Sequence, residues 1–234
     1  MFIGHYGVAL AGKRLAPRTS LGTLFVAAQF LDILWPVMIL FGWEHVRIIA
    51  GFTAVSPLDL YDYPLSHSLL LAALWSALFG GVYFAITRYR AGAWTVSALV
   101  LSHWFLDLIV HRPDLLLMPG AHRYFGFGLW NSRLATALVE LPIYLAGVAI
   151  YARTTRSRDR IGRYGFWAMA VFFLLMGIGN LKGTPPPSVS AMVWTMMVGG
   201  VLFVAWAIWV DRHRSTAVPA STSESKDFST QFHG

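Results

Sequence analysis

Cysteine is absent from the 234 residues, so no disulfide braces the chain and no thiolate binds a metal. The redox character of its compartment therefore leaves no mark on it. Charge is also scarce: Asp, Glu, Lys and Arg are 12% of the residues, too few to clothe a soluble domain of this length. Acids are scarcer than bases, 11 against 18, for a formal net charge of +7. A nucleic-acid partner is nevertheless not expected, because the bases fall in separate short segments rather than in one patch.

What is abundant is apolar surface. Hydrophobic residues make up 56% of the chain, and the mean hydropathy is +0.57. A helix needs about 20 apolar residues to cross a hydrocarbon layer of about 30 Å. Six runs meet that need: Ser20–Gly42, Ser66–Thr87, Ala93–His111, Arg133–Ala152, Gly165–Lys182 and Ser188–Val210. The expected fold class is all-α, a polytopic membrane protein of about six transmembrane helices. Lys13, Arg14 and Arg18, then Arg88 and Arg90, then the bases between Arg153 and Arg163, then Arg212 and Arg214 occupy one alternating set of segments. The other set holds only Arg47, Arg112, Arg123, Arg133 and Lys182. The positive-inside bias puts both termini in the cytoplasm. No cleavable leader is expected, because the run after Arg18 is long and contains Asp32; it reads as an uncleaved anchor.

Residues 1–210 read as one membrane-embedded helical domain, and 211–234, rich in Ser and Thr without an apolar period, as a disordered cytoplasmic tail. The segments 43–65 and 112–131 are outward loops, with Ser66 a cap for the second span just after Pro64. Met1–Gly12 is apolar yet too short to cross. As a half-helix leaving the cytoplasmic surface near Lys13, it carries His5 ~12 Å into the bilayer, while Asp32 lies ~18 Å along the first span. An interfacial helix lying flat is the alternative.

Asp32, His103, Asp107, His111 and Glu140 fall within spans, and His67 at the outer end of one. An acid at a helix centre costs about 2.5–3.5 kcal/mol on insertion scales, so lone lipid-facing placement is excluded for so many. His103, Asp107 and His111 recur every fourth residue and share one helix face. With alternating span direction, Asp32, His67, His103, Asp107 and Glu140 all lie between the midplane and the outer surface. Imidazole with carboxylate is the donor set of zinc or a similar divalent ion. An interhelical hydrogen-bonding network or proton relay uses the same residues.

The ordered set formed by His5, Asp32 in "FLDILWP", His67 in "SHSLL", and His103 with Asp107 in "SHWFLD" resembles the bacterial membrane-bound metal-dependent hydrolase family that includes a LexA-regulated member. The resemblance covers Met1 to Asp107, with "GFGLWNSRLATALVE" as a continuation, and implies the bacterial inner membrane. The same order is similar to that of zinc-dependent phospholipase C and P1-type nucleases. That similarity implies one metal on Asp32, His67, His103 and Asp107, with Asp107 bridging to a second held by His5. For a third metal the candidates are His111, His122 and Glu140, at a spacing that departs from those enzymes.

The function expected is a metal-dependent hydrolase with one or two divalent ions, zinc foremost. Its site lies in the outer half of the bilayer, and its substrate is a phosphoester or a lipid-linked molecule. The metal lowers the pKa of water toward ~7 and clamps the reacting group; Asp107 bridges, and Asp32 also orients the attacking water. Membrane lipids are the expected partners. One rival is a transporter using Asp32, Asp107, Glu140 and the histidines as a proton or cation relay, with Pro36 and Pro142 as helix breakers. Another is a structural protein or haem binder with paired histidines. Gly80–Gly81 and Gly199–Gly200 read as close helix approaches. The tryptophans, Trp130 among them, read as interfacial belt or packing.

Overall fold

Three helices start at a serine whose side chain takes up an orphan backbone N–H. The computed structural model describes residues 1–216. Its first helix, α1 (Ile3–Leu15), ends before Pro17, and α2 (Leu21–Ala28) begins at Ser20, which accepts from the Thr23 N–H. Across Gln29 the chain continues as α3 (Phe30–Leu40). β1 (His45–Ile48) and β2 (Leu58–Asp62) pair antiparallel, and Pro64 opens the single turn α4 (Pro64–His67). Then come α5 (Leu69–Thr87), α6 (Arg90–Val110), and the short pair β3 (Leu115–Leu116) and β4 (Tyr124–Phe125). Ser132 caps α7 (Arg133–Thr154), which leads through β5 (Thr155–Ser157) and a wide turn at Ile161–Gly165 into α8 (Phe166–Asn180). Ser188 caps α9 (Val189–Arg212), and β6 (Arg214–Thr216) returns to pair with β5.

Five helical segments are long and apolar enough to cross a membrane, and α2 with α3, bent by 58°, makes a sixth when taken as one span. The chain is thus a multi-pass all-α membrane protein. Its two ends differ in character. One carries β1 to β4 and the long loops; the other carries Lys13, Arg88, the Arg153–Arg163 segment and Arg212.

Several expectations change here. The helix α9 runs past residue 210 to Arg212, and residues 214–216 form a strand; the rest of the expected tail, 217–234, lies outside the described residues. The third span ends at Val110, leaving His111 extended beyond it. Neither Pro36 nor Pro142 interrupts its helix; the break falls at Gln29. Ser66 caps no helix, for Ser68 precedes α5, and the Ser66 hydroxyl is engaged elsewhere.

The inserted alternative for the N-terminus holds. Along α1, Ile3, His5, Tyr6, Ala9 and Leu10 are all buried. The helix lies against α7 where glycine meets glycine: a Cβ on Gly147 falls 2.0 Å from the Gly7 carbonyl oxygen. Any larger residue at either position forces the helices apart. Glu140, from α7, accepts the Phe2 and Ile3 N–H groups at 2.9 Å each. A carboxylate at a helix N-terminus satisfies orphan donors and the helix dipole together. Glu140 is therefore the anchor that holds α1 inside the bundle, which accounts for an acid in that span.

Candidate metal centre

Asp107, on the last two turns of α6, is the hub of the site. Its Oδ2 lies 3.1 Å from His103 Nε2 and 3.7 Å from His67 Nε2. Asp32 Oδ1, from α3, lies 3.6 Å from the same His67 nitrogen and 3.7 Å from that of His103. A tetrahedral ion with bonds of about 2.0–2.1 Å places its ligands about 3.3–3.4 Å apart. Four of the six spacings among these donors, 3.1 to 3.7 Å, lie near that edge length.

The other oxygen of Asp107 faces a second group. Oδ1 lies 3.1 Å from His5 Nε2, 3.8 Å from His111 Nε2, and in contact with the Met1 amino group. The His5 and His103 rings stack face to face at 3.7 Å, which sets their Nε2 atoms beside the two oxygens of one carboxylate. One donor atom from each of His5, His103 and Asp107 lies within 4.8 Å of the others, and the same is true of Asp32, His67 and His103.

What the imidazoles do with their other nitrogen decides what these distances mean. His103 Nδ1 lies 2.7 Å from the Ala28 carbonyl, which can only accept. That carbonyl closes α2, where last-turn acceptors have no helical partner, so the break at Gln29 orients His103. His67 Nδ1 lies 2.7 Å from Ser66 Oγ, whose hydrogen is already given to Glu44 Oε2 at 2.6 Å. His111 Nδ1 lies 3.0 Å from Asp114 Oδ1, which also receives the Tyr63 hydroxyl at 2.6 Å. Burial and the Asp114 charge hold Tyr63 well above its ordinary pKa, so it stays a donor.

In all three rings Nδ1 therefore carries a proton, which leaves Nε2 as the atom that faces a carboxylate and the one a metal could take. His103 Nε2 is fully buried without a hydrogen-bond partner although Asp107 Oδ2 is 3.1 Å away. With Nε2 unprotonated, each ring turns a lone pair on a carboxylate, an arrangement that a cation between them relieves; the Met1 amino group supplies one at Oδ1 of Asp107. The donor set is one that could hold a metal ion, and second neighbours fix each ring.

Asp32, His67 and His103 thus come together as one group, and His5, His103 and Asp107 as a second that shares His103, with His111 beside the same Asp107 oxygen as His5. Glu140 is joined to the N-terminal backbone instead, and His122 is exposed in the β3–β4 loop, in neither group. Arg112 spends its guanidinium on Asp59 at 2.8 Å and on the Phe52 ring. Four residues of the site gave no sign in the sequence: Glu44, Ser66, Tyr63 and Asp114. Trp130 is a fifth; its ring packs on His111 at 4.1 Å between centroids.

A polytopic membrane protein with a buried His/Asp site able to hold a metal ion is the class that fold and site define. No protein family, curated protein or solved structure matches the chain.

Proposed function

We propose that the protein is a membrane-embedded metal-dependent hydrolase of the bacterial inner membrane, related to the membrane-bound hydrolase family its ligand order resembles. The observation that carries this reading is the convergence of Asp32, His67 and His103 on one side and of His5, His103 and Asp107 on the other, with both Asp107 oxygens facing imidazole nitrogens. Zinc fits the imidazole and carboxylate donors. When bound, a metal pair supplies an activated water and a clamp for a phosphoryl group. The protein's own residues do the rest. Asp107 holds the two donor groups in register. The Asp32 side chain keeps 31% of its surface exposed, whereas His5, His103 and Asp107 are closed off. Asp32 is thus the carboxylate placed to orient a water entering from the cavity and to accept its proton. The substrate is a phosphoester or a lipid-linked molecule, met in the half of the membrane nearer the loops, which positive-inside topology makes the outer half.

Metal analysis of the purified protein tests this. The wild type is expected to carry stoichiometric divalent metal, and His103→Ala to lose it. A wild type that binds none after incubation with zinc overturns the proposal. One observation favours a second reading: a span broken beside buried acids is a device of transporters. Proton-coupled uptake into vesicles by protein free of metal decides for that alternative.

A further inference from the structure

A single cavity of about 390 Å³ begins at Asp32, His67 and Asp107 and extends along α9 past Met196, Gly200 and Val204. Its two ends differ chemically. Phe25, Ile33, Met196, Phe203 and Val204 line its apolar part, and among the described residues no Lys or Arg lines the cavity. The near end holds the ionisable cluster and polar atoms with nothing to bond. Gln29 and Trp35 are more than nine-tenths buried and line the cavity, and Gln29 Oε1, Trp35 Nε1 and Trp130 Nε1 have no partner. Buried indole N–H groups ordinarily find an acceptor.

The glycines of α9 explain the arm. Gly199 and Gly200 do not bring helices together, against expectation: a Cβ on Gly200 meets nothing within 4 Å, and one on Gly199 meets only the Phe203 ring of its own helix. By contrast, a Cβ on Gly80 strikes Ser97 of α6, so Gly80 is a true helix approach. The pair on α9 keeps a slot open. Met192, Met196 and Met176 also line it, flexible side chains that adapt to an irregular apolar guest. Ile33 both lines the cavity and is 37% exposed on the apolar surface of α3. The slot therefore reaches the side of the bundle that faces hydrocarbon.

We infer that this arm is a tail subsite: it takes one hydrocarbon chain of a membrane lipid and presents that lipid's polar head to the Asp107 cluster. The inference deepens the hydrolase reading and rests on it for the fate of the head, but the subsite itself is a matter of shape and polarity. A hydrocarbon chain is the guest that suits an apolar arm at membrane depth, and the unpartnered Trp35 and Trp130 N–H groups suit a headgroup rich in acceptor oxygens.

Native mass spectrometry of the full chain in detergent tests it, with dodecyl phosphate, dodecanol and butyl phosphate as probes. The wild type is expected to retain one molecule of either dodecyl compound and to hold butyl phosphate about tenfold less or weaker still. Gly200→Trp fills the slot and is expected to cut dodecyl retention by about tenfold or more, with bound metal unchanged. Val204→Trp blocks the same arm from the next turn and serves if the first variant does not fold. Equal retention of butyl and dodecyl phosphate by the wild type overturns the subsite, and so does undiminished dodecyl binding in a folded Trp variant. Dodecanol binding lost in Gly200→Trp, in a protein that carries no metal, upholds the subsite while the hydrolase reading falls.

Discussion

The bundle buries charge at both ends and treats it in opposite ways. At the basic end, Lys13 donates to Asp211 Oδ2 at 2.7 Å and to the Thr19 carbonyl at 2.8 Å. Asp211 accepts further from the Leu21 N–H and the Tyr151 hydroxyl. One cation meets one anion and the remaining acceptors are filled, so nothing more is required there. Around Asp107, two carboxylates face four imidazoles, and three of those rings have spent their Nδ1 protons on Ala28, Ser66 and Asp114. Apart from the Met1 amino group at Asp107 Oδ1, that set is rich in acceptors and poor in protons. A closed ion pair is a fastening; an open donor set is a binding site. Burial alone does not tell the two apart, and the count of protons does.

Removing the hub breaks the comparison most directly. Asp107→Asn withdraws charge from both donor groups at once, and bound divalent metal is expected to fall from stoichiometric to background by elemental analysis. Retained metal in that variant means that Asp107 is not the shared ligand. The next effect is large but of another kind. Lys13→Met leaves the Asp211 carboxylate buried without its cation, and breaking such a pair costs about 3–5 kcal/mol. Thermal unfolding in detergent is expected to shift down accordingly, while the metal content of the folded fraction stays at the wild-type level. Metal lost together with stability in Lys13→Met means the two ends are not independent.

The residues that sequence could bring forward are those whose type clashes with their surroundings. His103 and Asp107 stand out within "SALVLSHWFLDLIV" because a charge in hydrocarbon is costly; His5 and Asp32 stand out for the same reason. The cost says that a partner exists, not which one. Glu140 shows this limit, since it stands out equally and serves only the Phe2 and Ile3 backbone. Glu44, Ser66, Tyr63 and Asp114 are polar residues in polar loops and clash with nothing, so only the folded loops reveal them. The break at Gln29 is hidden as well. No Gly or Pro marks it, whereas Pro36 suggests a break that α3 does not make. Packing against α6 and α9 overrides local propensity there.

The finest expected effect concerns Glu44, Ser66 and His67. Glu44 is wholly buried and takes the Leu65 and Ser66 N–H groups on Oε1, each at 2.7 Å, and the Ser66 hydroxyl on Oε2. Burial raises its carboxyl above the ordinary value, and the Ser66 hydrogen bonds pull it back. The hydroxyl passes that orientation on: with its hydrogen committed to Glu44, its oxygen can only accept from His67 Nδ1, which keeps the His67 Nε2 lone pair aimed at Asp32 and Asp107. Ser66 meets the ring at Nδ1 rather than at the Nε2 that faces the carboxylates, so in the proposed site it is a positioning residue. Ser66→Ala is expected to lower zinc affinity by about 10–100-fold, the usual range for such outer partners, measured by competition with a chromogenic chelator. Ser66→Thr keeps a hydroxyl at the same place and is expected to restore most of it. A merely structural role for Ser66 lowers the unfolding temperature of both variants alike and leaves the zinc affinity of the folded protein where it was.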